Sequence, residues 1–260
     1  PGRYRYGGGR DFLIGASFID GEGRELRGGG KVVKNAAGFD FPKLLTGSLG
    51  ELGVLVDLTF KVFPSKEAFA TLRVDAGGLA EAVEVVARLN SSVEELFALE
   101  LEPPGTLLLR LGGIESVLPT RIQRLRALLD LPCALVDDEE DCWRREGEFS
   151  WASRGDSFVK IPATLAVIER LDSRLDELGV VRRYGCGGSV AWVCWPAGES
   201  FEKLEELLLS AGTTGLILWR SEDSSAGPLL NRKEGPFEGR IRSVLDGPGT
   251  FSIHPPRREP

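Results

Sequence analysis

Glycine clusters and four cysteines are the residues of this 260-residue chain whose types and spacing could carry chemistry. Gly28-Gly29-Gly30-Lys31 has the look of a phosphate loop. However, Val32 stands where Ser or Thr would hold magnesium, and no strand leads through the cluster into a helix. A nucleoside triphosphate site is rejected on that ground. Gly47, Gly50 and Gly53 differ, because glycines at every third position let the main chain lie against a ligand and expose successive amides to it. A tight turn into a buried strand would ask for the same glycines, so the spacing fits a ligand loop and a structural turn alike.

The cysteines, Cys133, Cys142, Cys186 and Cys194, show no Cys-x-x-Cys pair, and His254 is the single histidine. Structural zinc and iron–sulfur sites need several ligands held close together, which this set cannot supply, so no metal is expected. Four cysteines in this length are too sparse for a disulfide scaffold and read as thiols of a reducing cytoplasm. Cys194, set between Val193 and Trp195, has the pattern of a buried strand thiol. His254 lies in a Pro-rich terminus, a poor place for a rigidly held base. Ser-His-Asp and Cys-His mechanisms are thereby set aside, and any redox chemistry must come from a cofactor.

The elements that would position these residues belong to an ordinary globular chain, 42% hydrophobic and 27% charged. Lys+Arg number 32 against 39 Asp+Glu, a net charge of −7, which argues against a nucleic-acid surface. No apolar run approaches the ~20 residues of a membrane span. The chain begins at Pro1 and has no methionine, the mark of a processed or truncated product, and nothing at its start reads as a signal or transit peptide.

Residues 1–64 read as Gly-rich strands and turns: a strand over 11–20, a turn at 21–23 leading into 24–27, one helical turn over 41–45, and a strand over 54–63 stopped by Pro64. This piece has too few helices to close a core and looks like half of a domain. From Ser65 the pattern becomes regular. A strand at 69–74, a helix striped by Leu79, Val83, Val86 and Leu89, strands at 97–101 and 107–111 around Pro103-Pro104-Gly105, a helix with Ile122, Leu125 and Leu129, and a strand at 133–136 make a βαββαβ ferredoxin-like unit. The acidic run Asp137 to Asp141 is expected to be a solvated loop. The theme then repeats less cleanly, with strands at 158–161, 190–195 and 216–219, helices at 165–178 and 201–209, and a closing helix at 240–245. Aromatic residues in these strands are expected in the core.

Four motifs occur in order: Tyr6-Gly7-Gly8-Gly9-Arg10-Asp11-Phe12-Leu13-Ile14-Gly15, Lys34-Asn35-Ala36-Ala37-Gly38-Phe39-Asp40, the stretch from Leu44 through Gly47-Ser48-Leu49-Gly50-Glu51-Leu52-Gly53-Val54, and Lys61-Val62-Phe63-Pro64. Together they resemble the second half of the FAD-binding domain of the p-cresol methylhydroxylase (PCMH, vanillyl-alcohol oxidase) type. Within that type they resemble the FAD-binding E subunits of bacterial glycolate oxidases. The resemblance implies an α+β fold: residues 1–64 as the C-terminal part of a PCMH-type FAD-binding domain, and 65–260 as a ferredoxin-like α+β cap domain over the flavin ring. It implies FAD as cofactor, with Tyr6, Gly7, Gly38, Gly47, Ser48, Gly50, Leu52, Gly53 and Val54 matching the FAD-contacting segments. Lys34, Asn35 and Asp40 would lock the loop between strands instead. The family's first FAD subdomain would precede residue 1. Phe39 replaces a common Tyr, and Glu51 stands where Thr is frequent, placing a carboxylate near a dianionic cofactor.

The implied function is that of a flavoprotein subunit of a glycolate (2-hydroxy acid) oxidase or dehydrogenase, an FAD-dependent oxidoreductase acting on CH-OH groups. Its partners would be a catalytic flavoprotein D subunit and an iron–sulfur F subunit, with a cytoplasmic location that such partners could bring to the inner membrane. No residue offers itself as a catalytic base. The alternative is a non-catalytic structural subunit with a degenerate flavin site.

Overall fold

The computed structural model describes residues 2–31, 38–221, 227–232 and 235–251. In chain order these form α1 (Arg3–Tyr6), α2 (Gly9–Phe12), β1 (Leu13–Ile19), β2 (Glu25–Gly29), α3 (Phe41–Leu45) and β3 (Val54–Phe60). There follow β4 (Ala68–Asp75), α4 (Leu79–Asn90), β5 (Ala98–Glu102), β6 (Thr106–Gly113), α5 (Leu118–Leu129), β7 (Cys133–Leu135) and α6 (Glu139–Gly147). The rest are β8 (Ser157–Pro162), α7 (Leu165–Glu177), β9 (Val181–Gly185), β10 (Val190–Trp195), α8 (Phe201–Ala211), β11 (Gly215–Trp219), β12 (Leu229–Leu230) and α9 (Glu238–Leu245).

The chain divides into two compact units, 1–5 with 65–232, and 6–64 with 233–260. This grouping differs from the sequence division into 1–64 and 65–260 at both ends. Tyr4 and Arg5 belong with the larger unit, where the Tyr4 hydroxyl donates to Asn90 Oδ1 at 3.0 Å and Arg5 pairs with Glu95 at 3.1 Å. At the other end α9 belongs with the smaller unit because it carries Ile241 and Leu245 into that unit's apolar cluster.

In the larger unit the alternation of apolar residues along the strands, set against the 3.6-residue stripes of the helices, builds one sheet with its main core on one face. Strands β7-β4-β6-β5 form one antiparallel half, β11-β8-β10-β9 the other, and both follow a βαββαβ chain order. The halves meet where β5 pairs with β9 through Leu101 and Tyr184, and β12 extends the far edge. Leu72, Leu99, Leu107, Leu109, Val159, Ile161 and Val193 pack in one cluster with Val83, Val86, Leu125, Ile168, Leu171 and Leu204 of α4, α5, α7 and α8. Capping holds the helix starts: Thr164 accepts from the Val167 amide and Ser200 from the Lys203 amide. Trp195 and Phe158 are fully buried, whereas Trp219 remains partly exposed.

Besides the short helices α1 and α2 and the two-residue β12, two elements depart from the sequence reading. The acidic run expected as a loop instead opens α6: Asp138 caps the helix by accepting from the Asp141 amide at 2.9 Å, and the following carboxylates occupy the first turn, where the helix dipole favours them. Glu139 forks onto Arg110 at 2.5 and 3.0 Å, and Arg110 lies over the Phe69 ring at 4.1 Å. Trp143 donates to Thr71 Oγ1 at 2.7 Å and packs with Ala98 and Leu108, so α6 covers the sheet face opposite the other helices. The second departure is β9, where adjacent Arg182 and Arg183 mask the strand pattern. Arg182 is buried because Asp172 and Asp176 of α7 receive it, and Arg183 because Glu102 of β5 lies 2.5 Å away.

In the smaller unit β2-β1-β3 form an antiparallel sheet, with β1 central. Ala16, Phe18, Leu45 and Leu245 are its buried cluster, supported by Phe41, Leu44, Leu52 and Ile241. No strand among the described residues pairs with the outer edge of β3, and its Val54 and Val56 are 54% and 59% exposed.

The Asp172 carboxylate accepts from Arg182 at 2.6 and 2.8 Å and from the buried Tyr184 hydroxyl at 2.6 Å, with both charged side chains only 8% exposed. Asp172→Ala leaves the buried Tyr184 phenol without its acceptor and Arg182 with only Asp176 and the Val180 carbonyl, and should cost about 3 kcal/mol. Urea unfolding should show a lower midpoint at unchanged slope; a loss below ~1 kcal/mol would show that the network is dispensable.

Candidate functional site

The Gly47–Val54 segment is set in place by the helix before it and the strand after it. Asp40 caps α3 by accepting from the Lys43 amide at 3.1 Å, and Pro42 in the first turn suits a helix start. The Lys43 side chain and amide hold the Asp40 carboxyl below its ordinary range. Asp40 is therefore a helix cap, where the sequence reading has it locking the loop between strands, while Lys34, Asn35 and His254 lie outside the described residues. After Thr46 the backbone turns left-handed three times in four residues: Gly47 at φ +87°, Leu49 at +54° and Gly50 at +83°. Ser48 donates its amide to the Leu45 carbonyl and receives the Glu51 amide, at 3.1 and 3.0 Å. No acceptor among the described residues takes the amides of Gly47, Leu49 or Gly50. A Cβ added at Gly47 or Gly50 would point into open space. The adjacent Leu49 and Gly50 amides, both in left-handed conformation, with open space at Gly50, have the geometry by which a backbone turn can accept an anion.

Gly53 is a glycine for another reason. A Cβ there would lie 2.7 Å from the Ile19 carbonyl oxygen and 2.8 Å from the Phe18 ring, so close approach of the chain to β1 excludes any side chain. Leu52 packs into the apolar cluster, and Val54 opens β3 opposite Ile19. The other residues matched by the resemblance lie near this loop or beside it in the same unit. Tyr6 stacks on Phe63 with ring centroids 4.5 Å apart, and Gly7 precedes α2, whose Asp11 accepts from the Gly8 amide at 2.8 Å. The Gly9 position adjoins Thr46 at the end of α3, bringing the Tyr6-Gly7 segment toward Gly47. Gly38 is left-handed at φ +92° and open, but the residues before it are not described.

Sequence reasoning missed the partner of Glu51. Its carboxylate receives Arg242 Nη2 of α9 at 2.9 Å, across 191 residues of sequence. The charge of Glu51 was visible in the sequence; no local pattern could point to α9.

Two cavities lie in the larger unit among the described residues. One, of about 750 Å³, is bordered by Phe149, Arg154 and Trp219; the other, of about 400 Å³, is lined by Arg73, Glu102, Cys142, Glu146, Trp151 and Arg183. Burial pushes the Cys186 thiol up to about 11 and raises Cys142 and Cys194 as well, so none is a ready thiolate at neutral pH. Glu100 is the most perturbed carboxyl: burial raises it to about 7, even though the Cys186 amide donates to it at 3.3 Å and Arg183 favours its ionised form. Unfolded, it would ionise near 4.5. Between these values the folded state binds more protons than the unfolded, so stability falls as pH rises from about 4.5 to 7. Denaturant unfolding across that range should show this decline, and Glu100→Gln should flatten it; an equal slope in both proteins would overturn the assignment.

No family model matches the chain. Among curated proteins it is 44% identical to glycolate oxidase subunit GlcE of Escherichia coli strain K12 over 87 residues, 34% of this chain and 25% of that one. It is 38% identical to glycolate oxidase subunit GlcD of Bacillus subtilis strain 168 over 68 residues, 26% of this chain and 14% of that one. The matched segments thus span a quarter or less of these relatives. Among solved structures, p-cresol methylhydroxylase with substrate bound superposes with a TM-score of 0.67 at 13% identity, over 92% of this chain and 64% of that one. An alkyldihydroxyacetonephosphate synthase superposes with a TM-score of 0.60 at 12% identity, over 96% and 54%. The chain is therefore similar in sequence, over about a third of its length, to glycolate oxidase subunit GlcE, and it has the α+β fold of the p-cresol methylhydroxylase type.

Proposed function

We propose that this chain is the FAD-binding part of a flavin-dependent oxidoreductase acting on a 2-hydroxy acid such as glycolate, working as an E-type subunit of a complex. The observation that carries the reading is the Gly47–Gly50 turn, with its open glycine positions and unpartnered amides, inside a segment that resembles the FAD-contacting motif of such subunits. In this reading 6–64 with 235–251 belongs to the FAD-binding domain and the larger unit is the cap. The exposed apolar edge of β3 is a surface that further sheet of an FAD domain would cover.

FAD, when bound, supplies hydride acceptance from the hydroxyl-bearing carbon. The chain's own part is to hold it. The amides of Gly47, Leu49 and Gly50 would donate to the pyrophosphate, and Gly38, Ser48 and the Tyr6-Gly7 segment would line the extended cofactor. Gly53 and Leu52 act one step back, pinning the loop to β1 and to the apolar cluster. The partners in this reading are a catalytic flavoprotein D subunit and an iron–sulfur F subunit, in the cytoplasm. Among the described residues no helix is long and apolar enough to cross a membrane.

A second reading, a structural subunit with a degenerate flavin site, is favoured by one feature. Glu51, the one carboxylate of the Gly47–Val54 segment, is tied to Arg242 and so is not free to act as a base.

Two substitutions of the full-length protein separate binding from folding. Gly50→Asn tolerates the left-handed conformation, whereas Gly50→Val both strains it and fills the open space. Flavin absorbance of the purified protein should persist, reduced, in the first and be lost in the second, while the melting temperature of the cap is unchanged. Gly53→Val should instead unfold the smaller unit. A wild-type protein without flavin absorbance, or a Gly50→Val variant with undiminished flavin, would overturn the reading.

A further inference from the structure

An anionic cofactor and a carboxylate in the loop that meets it are incompatible unless the carboxylate is compensated. Glu51 sits next to the left-handed turn, one residue after Gly50, and its side chain is 14% exposed. Its compensation comes from the far end of the chain: Arg242 Nη2 lies 2.9 Å from Glu51 Oε2, with Glu238 of the same helix at 3.8 Å. The helix that presents Arg242 is anchored without that ion pair. Ile241 and Leu245 pack into the cluster of Ala16, Phe18 and Leu45. The Gly21 amide donates to the Leu245 carbonyl at 2.7 Å. Asp246, almost fully buried, accepts from the Thr250 and Phe251 amides at 2.7 and 2.9 Å, and the Thr250 hydroxyl donates to the Gly21 carbonyl at 3.1 Å. The position of helix α9 is thus set by packing and backbone bonds, and Arg242 faces the carboxylates of Glu51 and Glu238 from it.

We propose that Arg242 is the counter-charge of the Gly47–Val54 loop, a positioning residue that neutralises Glu51 so that the loop can accept the two negative charges of the FAD pyrophosphate. The inference rests on the flavin reading above and goes one step past it, assigning to α9 a part in cofactor retention. Two functions are separable here. If the pair only fastens the helix to the loop, removing either partner is equivalent. If it compensates charge, removing Arg242 does harm and removing Glu51 does not.

The test is FAD affinity of the full-length protein, by titration of the apoprotein, for wild type, Arg242→Gln, Glu51→Gln and the double variant, with thermal unfolding of each. Charge compensation gives an Arg242→Gln protein that binds on the order of ten-fold more weakly, a Glu51→Gln protein that binds at least as well as wild type, and a double variant restored close to wild type, all with similar melting temperatures. Arg242→Lys should retain most of the affinity. An Arg242→Gln protein with wild-type affinity overturns the inference alone, and so does a double variant as weak as Arg242→Gln. A wild-type protein that binds no FAD overturns the flavin reading, and this inference with it.

Discussion

Burial of one face of the nine-stranded sheet beneath α4, α5, α7 and α8 is the interaction from which the larger unit follows. Because successive side chains of a strand point to opposite faces, committing Leu99, Leu101, Leu107, Leu109 and Leu111 to the helices leaves Ala98, Glu100, Leu108 and Arg110 on the other face. That second face cannot be left to polar residues alone. Trp143 of α6 settles on Ala98 and Leu108, Arg110 is wedged between Phe69 and Glu139, and Phe158 stacks against Trp192 and Trp219. Glu100 is caught in this covering, which accounts for its raised pKa. The edge-to-edge pairing of β5 with β9 makes one sheet of two halves with the same chain order, and so the two halves share a core.

The smaller unit solves a different problem with fewer residues. Three strands and short helices have little apolar surface to bury, so close approach does part of the work. Gly53 brings the chain against the Ile19 carbonyl and Phe18, and Gly28 lets Phe41 lie against β2. With the loop pinned at Gly53 and α3 capped at its start by Asp40, the residues between must reverse direction within a short span, which the left-handed Gly47, Leu49 and Gly50 accomplish. The turn that would face a ligand is the same turn the backbone needs. Ligand loop and structural turn, the two explanations open for the three glycines, divide among them: Gly53 is structural, and Gly47 and Gly50 leave the open space.

Much of this was legible in the residues. The stripes of α4, α5, α7 and α8, the strand β4 and the hairpin β5–β6 could be read because burial on one side imposes a period that propensity reinforces. The helical turn at 41–45 and the motifs around Gly7, Gly38 and Gly47–Val54 were readable because they are local, each within a dozen residues. Where local and tertiary preferences conflicted, the reading failed. Asp137 to Asp141 looked like a solvated run because Asp138 as a cap and Arg110 as a partner for Glu139 are visible only once β6 and α6 are side by side. Arg182-Arg183 hid β9 because a buried arginine reads as exposed until Asp172 and Glu102 are found near it.

The amino-acid sequence by itself therefore determined most of the elements and the loop that resembles a flavin-contacting motif, since these depend on periodicity and short-range backbone demands. Only the tertiary structure decided which glycine serves packing and which leaves room, that the last helix returns to the smaller unit, and that Glu51 is answered by Arg242. Those are contacts between residues up to 191 positions apart, set by the shape of the folded chain, and no local pattern encodes them.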